Sequence, residues 1–154
     1  MTYTDDRATR VREVRRRLAR EGPPRTRDQE GDFETVTVPE KHCDQRRDLM
    51  VSEGAEKVDE VGHAYASSAL AIGEALATVH HPLPRHVITD PFQGREYSNA
   101  GWDLLRSAGL DSIATLMLTP SSIALPRLLT EGFVADAAFV DVRVPINHPR
   151  RSGA

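Results

Sequence analysis

Four short segments of this chain carry the side chains best suited to chemistry: Glu60-Val61-Gly62-His63-Ala64, Asp90-Pro91-Phe92-Gln93, Leu118-Thr119-Pro120-Ser121 and Phe139-Val140-Asp141. Glu60 can accept hydrogen bonds from an ammonium group, and Asp90 from ribose hydroxyls. Gly62 lets the backbone bend sharply and come close to a ligand. Lys57 to Ile72 reads as a short strand, a tight turn starting at Gly62, and the first turns of an apolar helix. Such a turn aims a helix N-terminus and bare backbone N–H groups at whatever lies above the strand, usually a nucleotide-like group. A second strand, His86-Val87-Ile88-Thr89-Asp90, ends in a carboxylate, where an α/β nucleotide fold holds a ribose.

These residues need elements to hold them. From Ala55 onward the rhythm is strand 56–61, helix 67–78, strand 85–90, helix 95–108, strand 113–118, helix 121–131 and strand 136–141. Alternation of this kind predicts an α/β fold, a parallel sheet with right-handed crossovers and helices on both faces. In such folds ligands bind beyond the carboxyl ends of the strands, where all four segments fall. Upstream, Asp5 to Arg20 sets Val11, Val14 and Leu18 among arginines at helical spacing, and Gly22-Pro23-Pro24 ends that helix. Phe33 to Val38 reads as an extended lead-in to a helix over Glu40–Ser52, with Pro39 at its first turn and Gly54 closing it. The expected organisation is an arginine-rich helix and mobile linker over 1–32, one domain over 33–141, and a disordered tail over 142–154 with two prolines and three arginines by Arg151.

Bulk properties narrow the classes. With 154 residues, 39% hydrophobic and 28% charged, the chain can bury one core without staples. A net charge of −3 gives no global basic field for nucleic acid. The arginines of the first helix have acids among them and no interleaved aromatics, so it reads as a solvated helix that lays a thin apolar stripe on the domain. No apolar run approaches the roughly 20 residues that span a bilayer, and the polar stretch Met1 to Arg10 gives no expectation of a secretory signal. One cysteine, Cys43, fits a reducing compartment, and a cytoplasmic location is expected. His80-His81 reads as loop, Cys43 as a small buried side chain and Trp102 as packing.

A dinucleotide fingerprint would need G-x-G-x-x-G, but the positions after Gly62 are His63, Ala64, Tyr65, Ala66 and Ser67. A Gly-Lys-Ser/Thr phosphate loop is also absent. Instead, Glu60-Val61-Gly62-His63-Ala64-Tyr65-Ala66-Ser67-Ser68-Ala69-Leu70-Ala71 resembles the first motif of class I S-adenosylmethionine-dependent methyltransferases. Thr89-Asp90-Pro91-Phe92-Gln93 resembles the acidic end of their second strand. Leu125-Pro126-Arg127-Leu128-Leu129 and Asp136 to Asp141 resemble the helix and fourth strand of the small-molecule O-methyltransferase group (methyltransferase domain 24 type). The similarity covers about residues 36 to 141.

The resemblance implies S-adenosyl-L-methionine as cofactor and methyl transfer to a small-molecule acceptor; no metal-ligating residues are assigned, although related O-methyltransferases hold a metal or a substrate at the position of Asp141. Glu60 and Gly62 would border the methionine part, with His63 and Ala64 beside them in the loop. Asp90, followed by Pro91, would bind the ribose; Pro120 and Ser121 would flank the adenine; Asp141 would face the transferred methyl group as the catalytic residue. Two departures stand out: Ala66 replaces a glycine and would crowd the cofactor arm, and Val142-Arg143-Val144 replaces the family's continuation after the fourth strand. The expectation is a Rossmann-like sheet of about four strands in the order 3-2-1-4, incomplete beside the seven-stranded family fold. Its apolar fourth strand would be an edge open to pairing with a second copy. The alternative function is an inactive, truncated methyltransferase-like domain serving as a cofactor-binding or interaction module. Neither nucleic acid nor membrane is expected as a partner.

Overall fold

A computed structural model describes residues 3–25 and 32–141; the linker and tail readings over 26–31 and 142–154 lie outside the described residues. The elements run α1 (Tyr3–Glu21), α2 (Phe33–Val36), α3 (Glu40–Ser52), β1 (Lys57–Val61), α4 (Ser67–Val79), β2 (Arg85–Thr89), α5 (Ala100–Ser107), β3 (Ala114–Met117), α6 (Ser121–Thr130) and β4 (Ala137–Val140). The four strands form one parallel sheet in the order β3-β2-β1-β4. The expected α/β architecture and strand order are therefore present.

Strand direction across the sheet decides where the helices lie. From β1 to β2 to β3 the chain steps one way, and right-handed crossovers put α4 and α5 on the same face. One buried cluster joins Ala69 and Leu70 of α4, Leu105 of α5, Ile88 of β2 and Ala114 of β3. A second joins Met50 of α3 and Val58 of β1 to Ile72 and Leu76 of α4, with Ala137 and Phe139 of β4 against it. The step from β3 back across the sheet to β4 puts α6 on the opposite face. There α6 buries Ala124 and Leu128 and leaves Leu125 and Leu129 exposed. Helix α4 is buried without a break from Ser68 to Ala77, because the sheet, α1 and α3 all cover it. Such a helix has no solvent face on which to place a charge.

Glu74 nevertheless sits in its middle, fully buried, and α1 explains it. Arg15 of α1, 3% exposed, pairs with Glu74 at 3.0 Å and with Asp44 of α3 at 2.7 Å. Glu74 also accepts from Arg12 at 2.8 Å and from Arg47 of α3 at 3.4 Å. Arg10 donates to the Ser107 carbonyl and Arg7 to the Gly109 carbonyl, closing the C-terminal end of α5, where free carbonyls favour cations. Val11 and Leu18 lie in the same buried cluster as Ile88 and Leu105. The expected helix laying its apolar stripe on the domain is thus present but more deeply engaged: Val11 and Leu18 enter the core of 33–141, and four of its arginines, Arg7, Arg10, Arg12 and Arg15, are bonded to it.

Two further expectations change. Residues 33–36 form a helical turn, not an extended lead-in, because the Asp32 carboxylate accepts from the Glu34 amide at 3.3 Å and the Thr35 hydroxyl at 2.7 Å. Helix α5 starts at Ala100, five residues later than expected: Asp90 captures the Phe92 amide in a turn, and Ser98 and Asn99 take φ of +49° and +58°.

Candidate functional site

Strand register brings the carboxyl ends of β1, β2 and β4 side by side. Val61 stands beside Thr89 on one side and Val140 on the other. The ladder runs on past the strands: the Gly62 amide donates to Thr89 O at 2.8 Å, Asp90 to Met117 O at 3.0 Å and Asp141 to Val61 O at 2.9 Å. Glu60, Gly62, His63, Ala64, Asp90 and Asp141 therefore sit on three adjacent strand ends, where the strand order reverses. Pro120 and Ser121 follow β3 and open α6; Pro91, Pro120 and Asp141 are exposed.

Gly62 is required by local geometry. Its φ is +95°, and a Cβ there would lie 2.5 Å from the Asp141 carbonyl oxygen. The close approach it permits in this structure is thus to the chain after β4. After Gly62, Ala64 and Ala66 both adopt positive φ, +48° and +71°. With Ser98 and Asn99, four of the five non-glycine residues of positive φ among the described residues lie in the two loops that meet here. Strain of this kind gathers at sites where the surrounding structure over-determines the backbone. The Ala66 side chain is fully buried in the main cluster with Ala69 and Leu70, so it does not crowd a ligand above the loop, as the sequence suggested.

Asp90 is 3% exposed, and its carboxylate already has partners. Oδ2 accepts from the amides of His63 at 3.2 Å and Ala64 at 3.0 Å, and from Gln93 Nε2 at 3.3 Å; Oδ1 accepts from the Phe92 amide at 2.9 Å. Gln93, fully buried, also donates to Ala64 O at 2.8 Å and accepts from the Trp102 amide at 3.1 Å. It staples the Gly62 loop to the first turn of α5. The sequence reading missed Gln93 as a structural member of the site; its spacing three residues after Asp90 is the local signal. Gly101 makes the staple fit: a Cβ there would collide with the Ala64 carbonyl oxygen and lie 2.8 Å from Gln93 Oε1.

Glu60 is 2% exposed and bonded to His86 Nε2 at 3.2 Å. Burial alone would raise its carboxyl, but the His86 hydrogen bond and charge, with Ser68, hold it below the usual carboxylate range. His63 is buried, only 5% exposed. Burial pushes its imidazole below the ordinary histidine value against the opposing pull of Glu60 and Asp90. Both ring nitrogens of His63 and the hydroxyls of Thr89 and Thr119 are buried without a hydrogen-bond partner among the described residues. These orphaned polar atoms all lie at or just past strand ends. Among the described residues no three His, Cys, Asp or Glu side chains converge as a metal site, and no helix is long and apolar enough to cross a membrane.

No protein-family model matches this sequence, and no curated protein matches it. Solved structures do. An O-methyltransferase from Bacillus cereus in complex with SAH is similar over 87% of this chain and 54% of its own, with a TM-score of 0.63 at 16% identity. TomG, an O-methyltransferase from Streptomyces achromogenes involved in tomaymycin synthesis and solved with SAM, is similar over 92% of this chain and 63% of its own, with a TM-score of 0.62 at 18% identity. The SAH-bound methyltransferase PaMTH1 of Podospora anserina gives a TM-score of 0.58 at 14% identity, over 92% of this chain and 51% of its own. The chain thus spans little more than half the length of the structures it matches. Its fold is that of class I S-adenosylmethionine-dependent methyltransferases.

Proposed function

We propose that this chain binds S-adenosylmethionine at the carboxyl ends of β1 and β2 and that the site directs methyl transfer to a small-molecule acceptor. One observation carries the reading: a glycine bend after β1 and the carboxylates of Glu60 and Asp90 converge where the strand order reverses, in a fold whose neighbours were solved with SAM or SAH. The donor set suits the cofactor. Glu60, ionised and buried, favours a cation above the loop, and the orphaned hydroxyls of Thr89 and Thr119 and the His63 ring offer hydrogen bonds to a polar ligand. Asp90 would take ribose hydroxyls by exchanging one of the bonds it now makes, the 3.3 Å Gln93 contact being the longest.

When bound, the cofactor supplies an electrophilic methyl group on a positively charged sulfur. The residues of this chain then have to align the acceptor and exclude water. Glu60 and Gly62 would border the methionine part with His63 and Ala64, Asp90 with Pro91 beside it would hold the ribose, and Pro120 and Ser121 would flank the adenine. Asp141, exposed at the end of β4 against Gly62, faces the acceptor and is the catalytic candidate.

Calorimetry tests this. Micromolar binding of S-adenosylmethionine by the wild type, lost in a folded Asp90→Asn variant, is the expected result. Unchanged binding in that variant would place the site elsewhere. A second reading, favoured by the four donors that already satisfy Asp90, is a module that holds its loop closed and does not turn over. Binding of the cofactor without label transfer from methyl-labelled S-adenosylmethionine to any acceptor in a small-molecule panel would support it.

A further inference from the structure

We propose that His63 sets how strongly the site prefers a sulfonium cofactor to its neutral thioether product, because a protonated ring competes for the same two carboxylates. This rests on the cofactor reading above. The ring is buried in the Gly62 loop, and neither nitrogen has a hydrogen-bond partner among the described residues. Its ionisable neighbours are Glu60 from β1 and, from β2 and the turn after it, His86 and Asp90. Helix α5 brings no side-chain charge to it but does bring the Gly101 backbone, which favours the protonated ring and where a Cβ would lie 2.8 Å from His63 Cδ2. The 91–99 turn adds the neutral amide of Gln93, bonded to Asp90.

An imidazole with two unmet nitrogens lacks the bonds that usually fix one protonation state. Burial keeps it neutral at pH 7, so the field of Glu60 and Asp90 is available to a cation. A proton on His63 would place a positive charge beside those acids and cancel part of that field. S-adenosylmethionine carries the sulfonium charge, whereas S-adenosylhomocysteine shares its nucleoside and amino acid without it. The ratio of their affinities therefore isolates the electrostatic contribution of the ring.

The test is calorimetry of both ligands across pH. The wild-type preference for S-adenosylmethionine should begin to fall below about pH 6.5 and drop by about tenfold once the ring is protonated, the effect of one charge about a nanometre away in an effective dielectric near 20. His63→Gln should hold its preference flat over that range. The imidazole signal, followed by NMR, should titrate lower with S-adenosylmethionine bound than with S-adenosylhomocysteine. A wild-type preference that does not change with pH, or one that falls equally in His63→Gln, overturns the proposal. Absence of binding by either ligand at every pH overturns the cofactor reading and this inference together, whereas two bound ligands in a constant ratio overturn only the role of His63. Should His63→Gln not fold, the wild-type ratio and the ring titration still decide.

Discussion

Ala66 and Gly62 share one loop and the left-handed backbone region, yet their side-chain surroundings predict opposite tolerance. Ala66→Gly would relieve about 1 kcal/mol of backbone strain, but it removes a fully buried methyl worth about 0.8 kcal/mol and loosens the unfolded chain. The effects nearly cancel, so urea unfolding should show a change within about 0.5 kcal/mol. Gly62→Ala adds left-handed strain to a Cβ held 2.5 Å from the Asp141 carbonyl oxygen, and should cost more than about 2 kcal/mol. Equal losses in both variants would mean that the loop backbone is not held as described. His63 supplies a prediction with a sign. Its folded pKa lies below its unfolded value of about 6.5, so the unfolded chain binds the extra proton first. The stability this group contributes is complete above about pH 6.5 and is lost as the pH falls toward its folded value. Melting temperatures of His63→Gln should decline less steeply than those of the wild type below about pH 6.5; parallel curves would contradict the burial of a neutral ring.

Among the elements, α1 is held by charge as much as by its apolar stripe. Arg15 and Glu74 are both buried, and removing one partner leaves the other without full compensation, a loss of about 3 to 5 kcal/mol in buried pairs. Arg15→Ala should therefore destabilise the whole domain and speed proteolysis after Arg25, whereas Arg17→Ala, at an exposed position, should be silent. If Arg15→Ala frees α1 yet leaves the unfolding midpoint unchanged, the helix is an appendage after all. The sequence shows this element's stripe through Val11 and Leu18, but not its partner: the buried acid lies 59 residues away in Glu74, beyond any local pattern. The same division holds at the site. Strands were legible to within a residue at either end because apolar runs and turn residues are local signals. The Asp90–Gln93 staple was not, because it joins the turn after β2 to a loop 26 residues earlier in the chain. Helix α5 was placed too early for a related reason, since side-chain capture of the Phe92 amide by Asp90 overrides the helical pattern of the following residues.

For the molecule as a whole, the sheet is covered unevenly. The face that carries Phe139 is packed under α3 and α4, and Arg46 lies 4.9 Å from the Phe139 ring centroid. On the other face α6 is the covering helix among the described residues, and Val140 is 67% exposed, Val134 73% and Leu129 77%. β4 pairs with β1 on one edge, and its outer edge has no strand among the described residues. Apolar exposure beside an open edge favours association, while Asp136 and Asp141 at the two ends of β4 oppose it. Asp136 stays ionised but is held toward β1 and away from the outer edge, because its carboxylate accepts from the Glu56 and Lys57 amides at 2.9 Å each. The apolar contribution should therefore win at high concentration. Sedimentation should show self-association that grows with protein concentration, and it should weaken in Val140→Lys, which puts a charge on the strand without touching the buried side of Phe139. A wild type that stays monomeric at high concentration would show that this edge does not drive association.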